Sequence, residues 1–327
     1  MSDQLQQTAA ETGQTKPYVP KYIKLPPGNV LTKQGEEEPY VFSDQIAIAI
    51  DVAFSTKRPL LVSGDPGCGK SRLAKALARQ LKWTYRNKTI TSRTTLEDLT
   101  HNYDHLRRLH DAHSAGAVSQ NLMPEWIYNR PGIFWWAFNS DSAVKKGQEQ
   151  YQKLEGSNEQ KEKANDKTLD KNKMVILIDE IDKAEPDLPN DLLDLLEYQR
   201  IELIDGQIIS AEKNTQTFII ITSNRERSLP KAFVRRCVVL EIKNPDIAEL
   251  IKIARSHFGD DIEKRLPVEK VAEITVKHRD SKQANLHKPG TSEFIDTLKT
   301  CIDLKITPDK KPEEWAQVEA LILRKTL

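Results

Sequence analysis

The sequence predicts an α/β fold in which helices cover both faces of a parallel sheet, followed by a smaller C-terminal all-α domain. Three continuous apolar runs predict the sheet: PLLVS at 59–63, MVILID at 174–179 and TFIIITS at 217–223. Strands that are buried on both faces give continuous apolar runs, whereas half-exposed strands alternate. After residue 244 such runs stop and four amphipathic helical patterns follow, which predicts the second domain.

Composition divides the chain into three predicted parts. Residues 1–36 are polar and rich in Gln and Thr, and they contain too little apolar surface to order themselves, so they predict a flexible leader. The core is predicted at 37–244 and the helical domain at 245–327. Within the core, a charged stretch at about 145–173 is typical of an inserted surface loop or a frayed helix.

The charge and cysteine content exclude several classes of protein. Lys and Arg number 49 and Asp and Glu number 48, so no overall field attracts nucleic acid or an acidic membrane. The sequence has no run of ~20 apolar residues and no secretory leader pattern. Three widely separated cysteines without a C-x-x-C pair fit a reducing compartment and single structural thiols. We therefore expect a cytoplasmic protein without a membrane or nucleic-acid partner.

The strongest motif is SGDPGCGKS at 63–71, which lies between an apolar run and the helical pattern RLAKALARQL. It matches G-x-x-x-x-G-K-[ST] in the strand-to-helix context that this phosphate-binding loop requires. Lys70 is expected to reach the β- and γ-phosphates of a nucleotide, and the Ser71 hydroxyl to bind Mg²⁺. The predicted nucleotide-binding residues of the loop are Gly64, Asp65, Pro66, Gly67, Cys68, Gly69, Lys70, Ser71 and Arg72.

Polar residues follow the next two apolar runs. Asp179 and Glu180 end the run MVILIDE, at the sheet edge where ligands bind in α/β proteins. Asp179 is predicted to hold Mg²⁺, and Glu180 to act as general base on the water that attacks the γ-phosphate. Asn224 ends the run IIITSN and is predicted to orient the same water, although Asn is also a common turn former.

The segment SLPKAFVRRCVVLEI contains two adjacent arginines, Arg235 and Arg236, before a further apolar run. A guanidinium here would act as a finger that stabilises transition-state charge in the site of a neighbouring subunit. The alternative is an ordinary surface salt bridge.

Two clusters have weaker interpretations. Four histidines lie in a predicted helix, and two of them have the i, i+4 spacing of a metal pair; they are His101, His105, His110 and His113. Because no catalytic Glu follows His101 and Arg108 shares the face, a solvated helix face is favoured. For Phe134, Trp135, Trp136 and Phe138, packing in the core is favoured over a platform for stacking bases.

Together these motifs resemble an AAA+ ATPase of the MoxR branch. The segments TSRTTLEDLTHNYDHLRRLHDA, PGIFWWAF, IDEIDKAEPDLPNDLLDLLE and TSNRERSLPKAFVRRC resemble its CoxD-like members. The resemblance covers about residues 40–300. It implies a P-loop AAA+ core with a helical lid, a segment inserted after the second strand, ATP and Mg²⁺ as ligands, and a homo-oligomeric ring, usually a hexamer. It also implies a chaperone that remodels a protein client, often with a partner that carries a von Willebrand factor A domain.

The resemblance also assigns roles to single residues. Lys70 and Ser71 match the Walker A motif, Asp179 and Glu180 match Walker B, and Asn224 matches sensor 1. Arg236 matches the usual finger, with Arg235 as a second candidate. Lys288 stands where the lid's sensor 2 arginine is expected, but lysine lacks the bidentate fork, and a solvated lysine is an equal alternative.

The pair Asp205-Gly206 predicts a two-residue hairpin turn within 201–210. By the same resemblance, this hairpin lines a central pore and residues 204–207 contact the client; a plain surface hairpin is the alternative.

The function predicted from the sequence is hydrolysis of ATP at subunit interfaces to remodel a protein partner. A nucleotide-driven motor on nucleic acid, such as a restriction-type GTPase or ATPase subunit, is disfavoured by the balanced charge. A nucleotide-gated scaffold without turnover is disfavoured by the presence of Glu180.

Overall fold

The fold is described from a computed structural model of the 327-residue chain. The structure describes residues 18–24, 30–31, 39–118, 128–151, 170–203, 206–281 and 288–325.

Eleven strands lie in this part of the chain, in one central sheet and three small two-stranded sheets. They are β1 (Val30–Leu31), β2 (Tyr40–Val41), β3 (Leu60–Ser63), β4 (Trp83–Thr89), β5 (His101–Tyr103), β6 (Asn129–Pro131), β7 (Asp170–Asp179), β8 (Arg200–Glu202), β9 (Ile208–Ser210), β10 (Gln216–Ser223) and β11 (Val238–Glu241).

The helices of the described ranges cover the central sheet and form the C-terminal domain. They are α1 (Asp44–Thr56), α2 (Lys70–Leu81), α3 (Leu96–Thr100), α4 (His105–Val118), α5 (Ile133–Phe138), α6 (Ser140–Tyr151), α7 (Leu188–Tyr198), α8 (Lys231–Arg236), α9 (Ile247–Phe258), α10 (Ile262–Arg265), α11 (Val268–Arg279), α12 (Thr291–Leu304) and α13 (Pro312–Val318). A 3₁₀ turn spans Ile181–Lys183, and a π-helix spans Glu319–Arg324.

The central sheet has five parallel strands in the order β11-β3-β10-β7-β4. Each inner strand contains a continuous apolar run because both faces are covered: Leu60 and Val62 pack into one core cluster, whereas Leu61 packs into the other. The predicted α/β fold with a parallel sheet is therefore confirmed. The crossovers place the carboxyl ends of β3, β7 and β10 side by side at one edge.

Strand β4 has no continuous apolar run and was not predicted individually. It lies at the edge of the sheet and pairs only with β7 within the described residues. The Arg86 guanidinium lies 3.9 Å from the ring centroid of Trp136 on α5. A cation–π contact of this kind allows a charged residue to occupy a half-buried strand position.

Part of the segment predicted as a flexible leader is packed. Asp51 on α1 is buried, and it accepts hydrogen bonds from Tyr18 Oη at 2.7 Å, Lys21 N at 2.6 Å and Tyr22 N at 3.0 Å. Ile23 is 1% exposed and joins the core cluster beneath the sheet. The composition argument fails for residues 18–24 because a buried carboxylate on another element supplies the bonds that this segment lacks by itself.

The segment between β4 and β7 carries the predicted insertion and the histidines. His101 lies in β5 and is buried, so the prediction that it shares a helix with the other three is wrong; α4 begins at His105. Strand β5 pairs with β6, which removes His101 from the face that carries His110. Among the described residues, no group of three or more His, Cys, Asp or Glu side chains is placed to hold a metal ion.

The aromatic cluster packs as expected in the core. Phe134, Trp135 and Phe138 on α5 are each at most 1% exposed. The charged stretch at about 145–173 is described only at its ends, where α6 continues to Tyr151 and β7 begins at Asp170; residues 152–169 lie outside the described ranges.

The predicted hairpin is present, but its turn is one residue longer than predicted. Strands β8 and β9 pair in the register Glu202↔Ile208, and Leu203 N donates to Gln207 O at 2.8 Å. A two-residue turn would instead pair residue 204 with Gln207. Gly206 has φ +78° and its N–H donates to Leu203 O, as in the three-residue hairpin that ends in a left-handed glycine. Residues 204 and 205 lie outside the described ranges.

The C-terminal domain is helical, and its four main helices follow the predicted patterns. They pack around a core of their own that includes Leu250, Val271, Phe294 and Leu298. Asp246 caps α9 through a capping box with Glu249, which explains why that helix begins after the Asn-Pro pair.

All three cysteines are buried and unpaired. Burial raises the pKa of the Cys237 thiol to about 12 and that of Cys301 to about 11, which fits structural thiols. In the described residues, no helix has the length and apolarity needed to cross a membrane.

Candidate functional site

The loop at 63–71 joins β3 to α2 and depends on glycine at two kinds of position. A Cβ at Gly64 would lie 2.4 Å from the carbonyl oxygen of Ile242, so a side chain there collides with the backbone that leaves β11. Gly67 and Gly69 have φ values of +78° and +95°, which side chains strongly disfavour. Gly69 is the N-cap of α2, so the positive end of that helix lies at the loop, where it would favour a bound anion.

Lys70 is buried, and its ammonium points back into its own loop. The Nζ atom donates to Gly64 O and Asp65 O, each at 2.8 Å, and lies 4.0 Å from Cys68 Sγ. The charge therefore lies under the concavity formed by the loop. A phosphate bound there would replace these carbonyl partners.

Ser71 and Asp179 meet although they are 108 residues apart in sequence. Ser71 Oγ donates to Asp179 Oδ1 at 2.8 Å and to Oδ2 at 3.0 Å. Thr222, which is fully buried at the end of β10, also donates to Asp179 Oδ1 and accepts the Glu180 N–H at 2.9 Å. A hydroxyl and a carboxylate are the hard oxygen ligands that Mg²⁺ prefers, so these two side chains fit the predicted metal.

Glu180 has a left-handed backbone, with φ +61°, immediately after β7. Its carboxylate is held at both oxygens: Asn224 Nδ2 lies 3.4 Å from Oε1, and Lys183 Nζ lies 2.8 Å from Oε2. Non-glycine residues in this conformation are strained, and they occur preferentially at functional sites. The strand ends thus bring the predicted base and the predicted water-orienting amide together.

Asp182 links the segment after β7 to the segment after β10. It is 3% exposed, and its two oxygens accept the backbone N–H groups of Asn224 at 3.3 Å and Glu226 at 2.9 Å. A buried carboxylate that accepts two backbone bonds fixes the path of the chain at Asn224.

Two adjoining cavities lie at this edge of the molecule. The smaller, of about 280 Å³, is lined by Pro66, Gly67, Gly69, Lys70, Ser71, Arg72, Asp179, Glu180, Asn224 and Ser292. The larger, of about 480 Å³, shares Gly67, Gly69, Arg72 and Ser292 with it and adds Cys68. Most predicted loop, metal and catalytic residues therefore meet around one space. Gly64 and Asp65 contribute their carbonyl groups to Lys70 instead.

The C-terminal domain contacts the loop through the start of α12. A Cβ at Gly290 would lie 3.0 Å from Pro66 O, and Ser292 lines both cavities. Lys288 is exposed and lines neither cavity, which agrees with the alternative of a solvated lysine; among the residues near it, Ser292 lines both cavities.

Arg235 and Arg236 lie at the end of α8, and neither lines the cavities of its own chain. Arg236 makes an ion pair of 3.5 Å with Glu197 at the end of α7, and both side chains are about half exposed. Both arginines are therefore accessible at the surface.

Sequence reasoning missed four residues that form or hold the site: Thr222, Asp182, Lys183 and Ser292. Only the position of Thr222, two residues before Asn224 in a strand, carried a signal, because alternate strand residues point to the same face. Asp182 and Ser292 depend on contacts between separate segments, whereas Lys183 meets Glu180 through the 3₁₀ turn that follows β7, which the sequence pattern did not predict.

The comparisons with known proteins agree with this geometry. A family model described as an AAA domain of the dynein-related subfamily matches residues 59–237, which is more than half of the chain. The match starts at β3 and ends after α8, so it contains the phosphate loop, both strand-end clusters and the arginine pair. A search among curated proteins gave no match.

Proposed function

Because this chain belongs to the dynein-related subfamily of AAA domains, we propose that it is a Mg²⁺-dependent ATPase that remodels a protein partner. The observation that supports catalysis best is the joint position of Ser71, Asp179, Glu180 and Asn224 around the concavity above Lys70. A glycine turn or a helix-starting acidic pair by itself would not bring these groups together.

In the proposed reaction, the loop N–H groups and Lys70 bind the β- and γ-phosphates. Ser71 and Asp179 would hold Mg²⁺, which neutralises phosphate charge when it is bound. The oxygen of a water attacks the γ-phosphorus, the bond to the β–γ bridging oxygen breaks, and ADP and phosphate form. Glu180 accepts the proton of the water, and the Asn224 amide orients that water.

The larger cavity suits the nucleoside. It continues from the phosphate loop, and its walls include the apolar side chains of Phe42, Ile46, Leu240, Ile253 and Ile295. A mostly apolar cavity with a few polar groups is typical of sites for a planar base.

The same cavity connects the two domains. Residues of α1, the segment after β11, α9 and α12 line it together, so a bound nucleoside would contact both the core and the helical lid. Hydrolysis and release would change these contacts and move the lid relative to the sheet, which supports a role in remodelling.

We propose that the working form is a homo-oligomeric ring, by analogy with the hexamers of the MoxR branch. The exposed Arg236, or Arg235 in its place, would then reach the γ-phosphate in a neighbouring subunit. The β8–β9 hairpin would face the client, and a protein with a von Willebrand factor A domain is the proposed partner. These assignments depend on the resemblance to the CoxD-like members.

Calorimetric titration with ATP and Mg²⁺ tests the proposal at the level of binding. Lys70→Ala should weaken binding about 10- to 100-fold, because it removes a charged partner of the phosphates. Lys75→Ala, an exposed lysine on the same helix, is the matched control. The absence of binding heat in the wild-type protein, or equal affinity in Lys70→Ala, would refute the proposal.

Steady-state hydrolysis tests the chemistry. Glu180→Gln should lower kcat about 10²–10⁴-fold while nucleotide binding is retained, because the amide cannot accept the proton of the water. Loss of binding instead of turnover would contradict the role of Glu180 as general base.

A further inference from the structure

Lys183 contacts the carboxylate of Glu180 from outside the space in which the nucleotide would lie. Glu180 and Asn224 line the smaller cavity, whereas Lys183 does not. Lys183 ends the 3₁₀ turn that begins just after Glu180, and its N–H donates to Glu180 O at 3.0 Å. The turn that follows the left-handed residue Glu180 therefore also places the Lys183 side chain next to the Glu180 carboxylate.

The two oxygens of Glu180 are bound with different strength. Oε2 accepts a charge-assisted bond of 2.8 Å from Lys183, whereas Oε1 has the long contact of 3.4 Å with Asn224. A general base needs one lone pair directed at the water, and Oε1, which lies beside the cavity-lining Asn224, is the more weakly bound of the two oxygens. The Lys183 ammonium is bonded to the other oxygen, Oε2.

Lys183 cannot itself take the proton. Its hydrogen bond to Glu180, together with the charges of Glu180, Glu226 and Asp182, raises its pKa above the ordinary value of 10.5, so it remains a donor in the neutral range. The pair also contributes little to folding, because its side chains are 41% and 29% exposed. Its consequence is to fix the direction of the carboxylate.

We propose that Lys183 is a positioning residue for ATP hydrolysis: it holds Oε2 of Glu180 so that Oε1 stays beside Asn224 and directed at the attacking water. This inference rests on the proposed ATPase function. The opposite arrangement, in which Lys183 masks the base and must leave before catalysis, predicts the opposite change in rate when the lysine is removed.

The test uses the full chain with Lys183→Met, which keeps the length of the side chain, and Lys183→Arg, which keeps the charge. We expect Met to lower kcat about tenfold, because small misplacements of a reacting group have large effects, with KM and the Kd for ATP within about twofold of wild type. Arg should restore most of the rate. Lys270→Met removes an exposed ion pair to Asp309 on the lid and should leave kcat unchanged.

Two further measurements separate positioning from a general structural role. In a Glu180→Gln background, Lys183→Met should change the residual single-turnover rate less than about twofold, because its effect acts through the carboxylate. A crystal structure of Lys183→Met with an unhydrolysable ATP analogue should show Glu180 Oε1 out of hydrogen-bond range of Asn224 Nδ2.

Three results would overturn the proposal: an unchanged or raised kcat in Lys183→Met, failure of arginine to restore the rate, or an equal loss in the Glu180→Gln background. Wild-type protein that binds ATP without turning it over would instead refute the proposed function, and this inference with it.

Discussion

The strand-end cluster at Asp179 and Glu180 and the arginine pair at the end of α8 are held in different ways. Asp179 accepts bonds from Ser71 and Thr222, and Glu180 is bound at both oxygens. Arg236 has one long ion pair, and half of its side chain is in solvent. This difference fits the proposed roles: the groups proposed to act within their own chain are fixed by it, whereas the arginine proposed to act on a neighbouring subunit is exposed.

The largest expected effect concerns the exposed arginine pair. If Arg236 is the finger of the proposed ring, Arg236→Ala should lower kcat about 10³-fold, because a finger stabilises charge that develops only in the transition state. Mixed with wild-type subunits, it should also depress their hydrolysis, since each altered subunit faces a normal site. Steady-state assays over a range of mixing ratios measure this.

Arg235→Ala is the matched variant and should have a smaller effect. If Arg235→Ala is the more damaging of the two, the finger role moves to Arg235. If neither variant lowers hydrolysis by the wild-type subunits mixed with it, neither arginine acts on a neighbouring site, and the proposed contrast with the strand-end cluster is wrong.

A smaller effect is expected at the strand-end cluster, where Thr222 bonds to Asp179 and Glu180. Thr222→Val keeps the shape of the side chain but leaves the Glu180 N–H without an acceptor, so the free energy of unfolding should fall by about 1–3 kcal/mol. The Mg²⁺ concentration for half-maximal nucleotide binding should rise, because Asp179 loses an orienting bond. Chemical denaturation and magnesium titration measure the two effects.

Thr275→Val is the control in the lid, where Thr275 is equally buried and donates to Val271 O. That carbonyl keeps its helical partner, so we expect a loss below about 1 kcal/mol. Equal destabilisation by both variants would show that the Thr222 bonds are not special.

The smallest expected effect concerns Glu319, a carboxylate that lies outside the candidate site and is also held by several hydrogen bonds. Burial raises the pKa of Glu319 in the π-helix, but hydrogen bonds from His278 and Arg324 outweigh this and hold the pKa below the ordinary 4.5. A depressed pKa stabilises the fold above pH 4.5, and this contribution is lost as the pH falls through the lower folded value.

Glu319→Gln should therefore lower the melting temperature by about 3 °C at pH 6, with the difference shrinking below pH 4. Tryptophan fluorescence can follow the transition, since Trp315 Nε1 donates to Glu319 Oε2 at 3.0 Å. Glu314→Gln, on the exposed side of α13, is the control. A difference that persists at low pH would contradict the assignment.

The sequence was most informative where the signal is local. The phosphate loop is a continuous motif, and β3, β7 and β10 each contain a continuous apolar run because both faces of the sheet are buried there. Strand β4 was not predicted individually because apolar and polar residues alternate in an edge strand, and in β4 one polar position is Arg86, which packs against Trp136.

Roles that depend on two segments were beyond the sequence alone. Asp182 holds the backbone after β10, and Ser292 enters the site through the packing of the lid; neither contact has a spacing that could be read along the chain. The same reason explains the error at residues 18–24, whose partner Asp51 lies about thirty residues downstream.

The packing of residues 18–24 also bears on how this protein should be expressed. The family match begins at residue 59, yet Ile23, Phe42 and Ile50, all at most 1% exposed, belong to the same cluster as Leu60 and Val175. A gene fragment trimmed to the matching residues would expose the apolar surface of this cluster to solvent, and exposed apolar patches are a common cause of aggregation during expression. The segment that is recognisable by homology is shorter than the segment that must be cloned to obtain a soluble, folded product.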